Sequence, residues 1–303
     1  MFKRFFTSRI KVSIRNANWS SCCLFVLSVC IAGNVSADAS VWSVTAGKNT
    51  LYLGGTVHFL RASDFPLPEE YEQAYQASSE IYFETDIGAM TDLSVQTQML
   101  ERLTYSDERT LKTVLNQEAY SALSDYVASK NMPMMVLDKF RPGLLITTLQ
   151  ILEIQSMGFT PQGVDAYFTT RAIGDTKPLG QLETVQEQIE FIAEMGEGNE
   201  SEFVLLSLRD LDQARELMDE MVQAWRVGNN AELERLFVDD MRYQTPALYD
   251  TLLRQRNLKW ILLIDQMLLD GDTEFVLVGA AHLVGEDGLL KLLANRGYEI
   301  KQL

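Results

Sequence analysis

Cysteine is almost missing from this 303-residue chain, and the three present, Cys22, Cys23 and Cys30, all fall within the first 30 residues. If that stretch is a leader that is cut away, what remains has no thiol. It then has no disulfide, no cysteine nucleophile, no Cys-ligated zinc and no anchor for covalent haem. Histidine is nearly as scarce, with only His58 and His282. Positive charge is short as well: 26 Lys+Arg stand against 42 Asp+Glu, a net charge of −16. Such a field repels phosphate backbones and anionic headgroups, which argues against nucleic acid or a membrane surface as partner. Long apolar runs are also lacking: Ile261 to Leu269 is broken by Asp265 and Gln266, so no membrane span is expected beyond the leader. No G-x-S-x-G, P-loop or H-E-x-x-H motif occurs, which removes the commonest hydrolase and nucleotide-binding signatures.

What is there begins with an address. Lys3, Arg4, Arg9, Lys11 and Arg15, with no acidic residue, precede the apolar run Cys22 to Ala32 and the small residues of Val35-Ser36-Ala37. That order is the grammar of a signal peptide over residues 1–37, cleaved before Asp38 and sending the protein to the periplasm or the medium. A retained anchor is the alternative; a lipoprotein at Cys30 fits less well, because Val29 is branched. Removing five cations and no anion takes the net charge to about −21. Residues 38–303 suit one large domain, and a 47% hydrophobic content supports a sizeable core.

The chain ends share a pattern. Thr50 to Gly54 reads as a strand that ends in a glycine turn carrying His58, followed by a helix after Pro68 and the strand Ile81-Tyr82-Phe83. Glu274 to Val278 reads as a strand followed by Gly279-Ala280-Ala281-His282, a helix over about 288–295 and a last strand at 298–301. Both ends are therefore strand, G-x-x-H, helix, strand, as in crossover units with parallel strands. Helical spacing of apolar residues covers most of the middle: about 94–104, 107–115, 117–129, 144–157, 164–173, 185–194, 202–228, 231–238 and 245–270. A short strand ends at Glu183. The expected fold is α/β: a central sheet, the two G-x-x-H units at the chain ends, and a large helical insertion or cap between them.

With 18 Gly in 303 residues, a glycine three places before both histidines has a chance of about one in 300. Ligand and catalytic groups of open α/β sheets gather at the C-terminal ends of strands, where these histidines fall. The bland reading makes each a hydrogen-bonded structural histidine. Glu84 ends the next strand after His58, and a carboxylate after Ile-Tyr-Phe is costly to bury unpaired. It suits a metal ligand or a histidine-orienting group, or merely a solvent-facing strand end. Glu183 divides evenly between function and a bland strand end. Arg256, followed by Asn257, suits a carboxylate partner or an oxyanion donor, against the commoner solvated arginine. The acidic stretch 187–220 reads as a solvated face, and Met132, Met134 and Met135 as gap-filling core.

These segments resemble the TraB/GumN family, which is related to the Tiki metalloproteases. The resemblance rests on Gly54-Gly55-Thr56-Val57-His58, Phe83-Glu84-Thr85-Asp86, Arg141-Pro142-Gly143 and Gly163-Val164-Asp165. It continues through Pro178 to Thr184, Arg256-Asn257 and Val278 to Gly285, spanning the chain beyond the leader. It departs at Gly143, where the family often has tryptophan. The resemblance implies a site of two G-x-x-H motifs and a strand-end glutamate, matching His58, His282 and Glu84. It also implies relatives that are metal-dependent proteases and more distant ones that are esterase-like or haem-binding. The expectation is therefore an exported metal-dependent hydrolase, most readily a peptidase acting on a peptide or small-molecule substrate. His58, Glu84 and His282 would hold a divalent ion (Mn, Co or Zn), with Glu183 as base and Arg256 at the oxyanion. A histidine-based hydrolase without metal is its variant. A non-catalytic protein that captures a peptide signal, metal or haem is the alternative from another class. Oligomeric state is open.

Overall fold

The computed structural model describes residues 38–303, so the expected leader 1–37 lies outside the described residues. The chain opens with a hairpin, β1 (Val41–Ala46) and β2 (Asn49–Thr56), turning at Gly47 with φ 64°. Helix α1 (Glu69–Ala77) and strand β3 (Glu80–Phe83) follow. Then come α2 (Leu93–Leu103), α3 (Leu111–Val114), α4 (Gln117–Ser129), α5 (Pro142–Ser156) and α6 (Val164–Asp175). Strand β4 (Leu179–Gln181) leads to α7 (Val185–Glu194) and the 27-residue α8 (Glu200–Arg226). The last part holds α9 (Asn230–Glu234), α10 (Asp240–Gln244), α11 (Pro246–Tyr249), α12 (Gln255–Asp270), β5 (Glu274–Gly279), α13 (Leu289–Asn295) and β6 (Glu299–Gln302).

Among the described residues the strands form one sheet in the order β4-β3-β5-β2-β1-β6. Strands β4, β3, β5 and β2 run parallel, and β1 is antiparallel to both β2 and β6. The expected α/β fold is therefore present. Central β5 is buried almost throughout, which explains its unbroken Phe275-Val276-Leu277-Val278 run: a strand covered on both faces needs no polar alternation. Tyr71 of α1, Phe168 of α6 and Trp225 of α8 pack around Phe275 and Gly55. Gly54 and Gly55 lie inside β2 rather than in a turn beyond it. A Cβ on Gly54 would come within 2.6 Å of Leu277, so closeness to β5 is the reason for glycine there.

The helical middle builds its own apolar cluster from α3, α4, α5 and α8, including Leu111, Leu123, Leu145, Leu149 and Val204. Helix α8, about 40 Å long at 1.5 Å per residue, joins the two cores. Its Val204, Leu208 and Leu211 belong to that cluster, and its Met218, Val222 and Trp225 to the sheet's. Three expectations need correction. The helix expected over 107–115 shrinks to α3, because Asp107 instead accepts the N–H and guanidinium of Arg109 in a turn. The single helix expected over 245–270 is interrupted by a π-wound turn, Asp250–Arg254. Met135 is 86% exposed and fills no core, although Met132 and Met134 do pack against the helical cluster.

Candidate functional site

Four neighbouring parallel strands end at one edge of the sheet, and each delivers one expected residue just past its end. β2 leads to His58, β3 to Glu84, β4 to Glu183 and β5 to His282. Register aligns these ends: Thr56 pairs with Gly279, and Phe83 with both Leu277 and Gln181. Leu182 and Glu183 extend the pairing by donating to the carbonyls of Phe83 and Glu84. The fifth residue, Arg256, comes from the first turn of α12, directly after the π-wound turn. An extra residue in a helical turn rotates the side chains beyond it about the axis, and such turns recur at functional sites.

Arg256 is the centre of the cluster. Its Nε donates to Glu183 Oε2 at 3.0 Å, and its Nη2 to Glu183 Oε1 at 2.7 Å and to Glu84 Oε2. Its Nη1 lies 3.1 Å from His282 Nε2 and 3.3 Å from the Leu252 carbonyl. All five guanidinium N–H groups thus have acceptors, so steadying an oxyanion would require one of these bonds to be given up. The guanidinium also sits 4.6 Å from the Trp260 ring centroid. Burial alone would raise the Glu84 carboxyl, but Arg256, the histidines and the Gly279 N–H outweigh it and lower its pKa to about 2. Its Oε1 accepts that N–H at 2.7 Å.

The two histidines are held differently. His282 is buried, with Nδ1 2.7 Å from Asn257 Oδ1. The Asn257 amide donates to the carbonyls of His282 and Asp287, which fixes its oxygen toward the ring and makes Nδ1 the protonated nitrogen. Nε2 is left to accept from Arg256. Burial, together with Arg256 and His58, pushes the His282 pKa down to about 3, so it is neutral at any ordinary pH. His58 is the reverse: its side chain is 60% exposed, and Nδ1 lies 2.8 Å from Asp165 Oδ2. Asp165 above all, helped by Glu84 and opposed by Arg256, raises its pKa to about 9. Its Nε2 has no partner among the described residues.

Asp165, 5% exposed on the first turn of α6, is part of this cluster, although the sequence shows it only within the Gly163-Val164-Asp165 segment. Gly163 has no room for a side chain, since a Cβ would lie 2.2 Å from the Val57 carbonyl oxygen and 2.3 Å from the His58 carbonyl carbon. That contact lets Val164 N–H bond Val57 at 3.1 Å and brings Asp165 to the imidazole. Asn257 is visible in the sequence only as the neighbour of Arg256. Gly143, the departure from the family pattern, packs against the Ile192 carbonyl of α7, where any side chain would collide.

A cleft of about 300 Å³ opens over His58, Glu84 and Asp165, walled by Phe59, Phe83 and Met90. Thr85, 4% exposed, also lines it, and its hydroxyl has no partner among the described residues. A divalent ion does not fit the side chains as they stand. Glu84 and His282 both face a guanidinium, a fixed positive charge where the ion would sit, and among the described residues no three His, Cys, Asp or Glu are grouped to ligate one.

The sequence profile described as the TraB/PrgY/gumN family matches residues 40–302. The chain belongs to this family. The match runs from β1 to β6, so the sheet, the helical middle and all five expected site residues fall inside it. No curated protein and no solved structure is significantly similar to this family member. Among the described residues no helix is long and apolar enough to cross a membrane.

Proposed function

We propose that this TraB/PrgY/gumN family member is an exported hydrolase of carbonyl compounds, acting on peptide or small-molecule substrates with His58 as its proton-transfer group. The carrying observation is the His58–Asp165 pair lining the cleft: Nδ1 is anchored at 2.8 Å while Nε2 has no partner among the described residues. An imidazole so oriented takes a proton from water as its oxygen attacks the carbonyl carbon. It then returns that proton to the departing amine or alkoxide as the C–N or C–O bond breaks. Asp165 fixes the tautomer and stabilises the imidazolium formed in between. Neutral His282, Glu84 and Glu183 hold Arg256 as a buried charge beneath the reaction centre, favouring negative charge that develops there. Export rests on the basic leader and the Val35-Ser36-Ala37 site; intact residues 1–37 on protein recovered outside the cytoplasm would end that part.

The test is cleavage of a peptide library by protein purified without a polyhistidine tag, with and without a strong chelator. Cleavage that persists with chelator and disappears in His58→Ala supports the metal-free reading. A second reading keeps the metal: His58 and His282 each have Nδ1 engaged by a neighbour, the usual arrangement of a metal-ligating histidine, and an ion would take the His282 Nε2 by displacing Arg256. Loss of activity with chelator, restored by Mn, Co or Zn, would select it. Tight peptide binding with no turnover would select a capture protein instead.

A further inference from the structure

A second opening borders the Arg256 cluster. Beyond Glu183 and Arg256, along α7, lies a hollow of about 250 Å³, followed by one of about 520 Å³ between the start of α8 and α11. The two share Phe191, Glu194 and Thr251 in their walls, so they form one groove that starts at the site. Gln188 lines the His58 cleft from another side of α7, so the cleft and the groove border the same helix. The far hollow has an apolar floor, with Met195, Phe203 and Leu248 among its lining.

The groove is acidic in a particular way. Glu187, Glu190 and Glu194 recur every three or four residues, a spacing that keeps them on one side of α7, and Glu183 stands just ahead of the helix. Glu197 and Glu202 extend the row into the far hollow. The first three are matched: Glu183 by Arg256, Glu187 by Lys259 at 3.5 Å and Glu190 by Arg102 at 2.7 Å. Glu194, Glu197 and Glu202 are exposed and form no direct ion pair among the described residues. Negative potential therefore grows with distance from the reaction centre.

We propose that this groove seats a flank of the substrate in which lysine or arginine stands beside apolar residues, so that the enzyme selects cationic, partly apolar peptides. The inference rests on the hydrolase reading for the word substrate, though not for the binding itself. Unpaired carboxylates over an apolar floor complement a side chain that buries a hydrocarbon stem and keeps a charged head in water. Several hundred cubic ångströms suits a short peptide segment rather than a lone ion.

The experiment uses two fluorescein-labelled octapeptides, one alternating lysine and leucine, the other glutamine and leucine. Anisotropy measures binding to the full chain carrying His58→Ala, which prevents turnover. The lysine peptide is expected to bind at least tenfold more tightly than its partner. That preference should shrink to within twofold in the variant E194Q/E197Q/E202Q. It should persist in E101Q/E118Q/D125N, which removes as many charges elsewhere and so controls for the bulk acidity of the protein. Equal affinity for the two peptides, no binding of either, or equal loss in both triple variants would overturn the proposal. Preference for lysine in a wild-type protein that cleaves neither peptide would instead sink the hydrolase reading and leave the groove as a binding site.

Discussion

His58 and Asp165 stand 107 residues apart in the chain, yet the Asp165 carboxylate meets the imidazole Nδ1 at 2.8 Å. The pairing makes His58 a far stronger base than a free histidine, and it sets the pH at which the protein should work. With a pKa of about 9, the neutral form needed for proton abstraction is a minor species at pH 7. Activity should climb as pH rises from 7 and level off above about 9. Asp165→Asn should bring the plateau down toward the ordinary histidine value of about 6.5 while lowering its height. Because the chain has two histidines, their NMR titrations give the assignment directly. The linkage has a sign: a raised pKa in the folded state adds stability below about pH 6.5 that is lost as pH rises through about 9. That falling limb should vanish in Asp165→Asn.

Gly163→Ala should damage the same pair without touching either member. A methyl group there meets the backbone of Val57 and His58, so α6 must retreat and carry Asp165 with it. We expect a loss of about 1–3 kcal/mol in urea unfolding, in the range for forcing extra atoms into a packed contact. His58 should titrate at lower pH than in the wild type. An unchanged NMR titration would mean that the contact does not position the carboxylate.

Arg256→Ala leaves Glu84 and Glu183 buried and facing each other without a counter-charge. Breaking a buried pair in this way typically costs about 3–5 kcal/mol, so the variant should be strongly destabilised or fail to fold. The informative companion is R256M/E84Q/E183Q, which removes both signs at once. It should recover most of the stability while remaining inactive. If it is no more stable than Arg256→Ala, the cluster contributes to folding through shape rather than charge.

Glu274 sits at the opposite end of β5, 2% exposed, with Oε2 lacking any partner among the described residues. Burial first, then Asp270, Glu80 and Asp272, raises its pKa to about 7. Here the folded state holds the proton more tightly than the unfolded chain, so stability falls as pH rises from about 4.5 to about 7. His282 acts in the other direction: its pKa of about 3 means that stability is lost as pH falls from about 6.5 to 3. Glu274→Gln should therefore unfold at higher urea than wild type at pH 8 and show little difference at about pH 4.5. A difference of the same size at both pH values would remove the ionisation argument.

His58, Glu84 and His282 are legible in the sequence because each follows a buried apolar strand, whereas Glu183 follows the short, largely exposed Leu179–Gln181 and reads no better than evenly. Glycine is legible as a marker, yet its reason at Gly54 is not: the close approach of β5 is a tertiary fact. Asp165 is harder still. An aspartate in the first turn of a helix has a local explanation in the helix dipole, and nothing nearby announces a partner 107 residues away. The interruption before Arg256 is likewise hidden, because a π-wound turn keeps nearly the same apolar spacing as the helix it interrupts. The metal expected from the resemblance depends on Glu84 and His282 being free, whereas both face Arg256.

The place of β5 in the sheet sets an order of events during synthesis. It lies between β3 and β2, so those two strands have no common neighbour until residues 274–279 have been made. A nascent chain in which Gly163 and Val164 dock on Val57 and His58 still lacks the strand that sets Glu84 beside that pair. Pairing across so much sequence is slow compared with the formation of local helices. Assembly of the strand-end cluster thus waits for the last thirty or so residues, and a chain stopped short of β5 would be helical in part but without the sheet edge that gathers Glu84, Arg256 and His282.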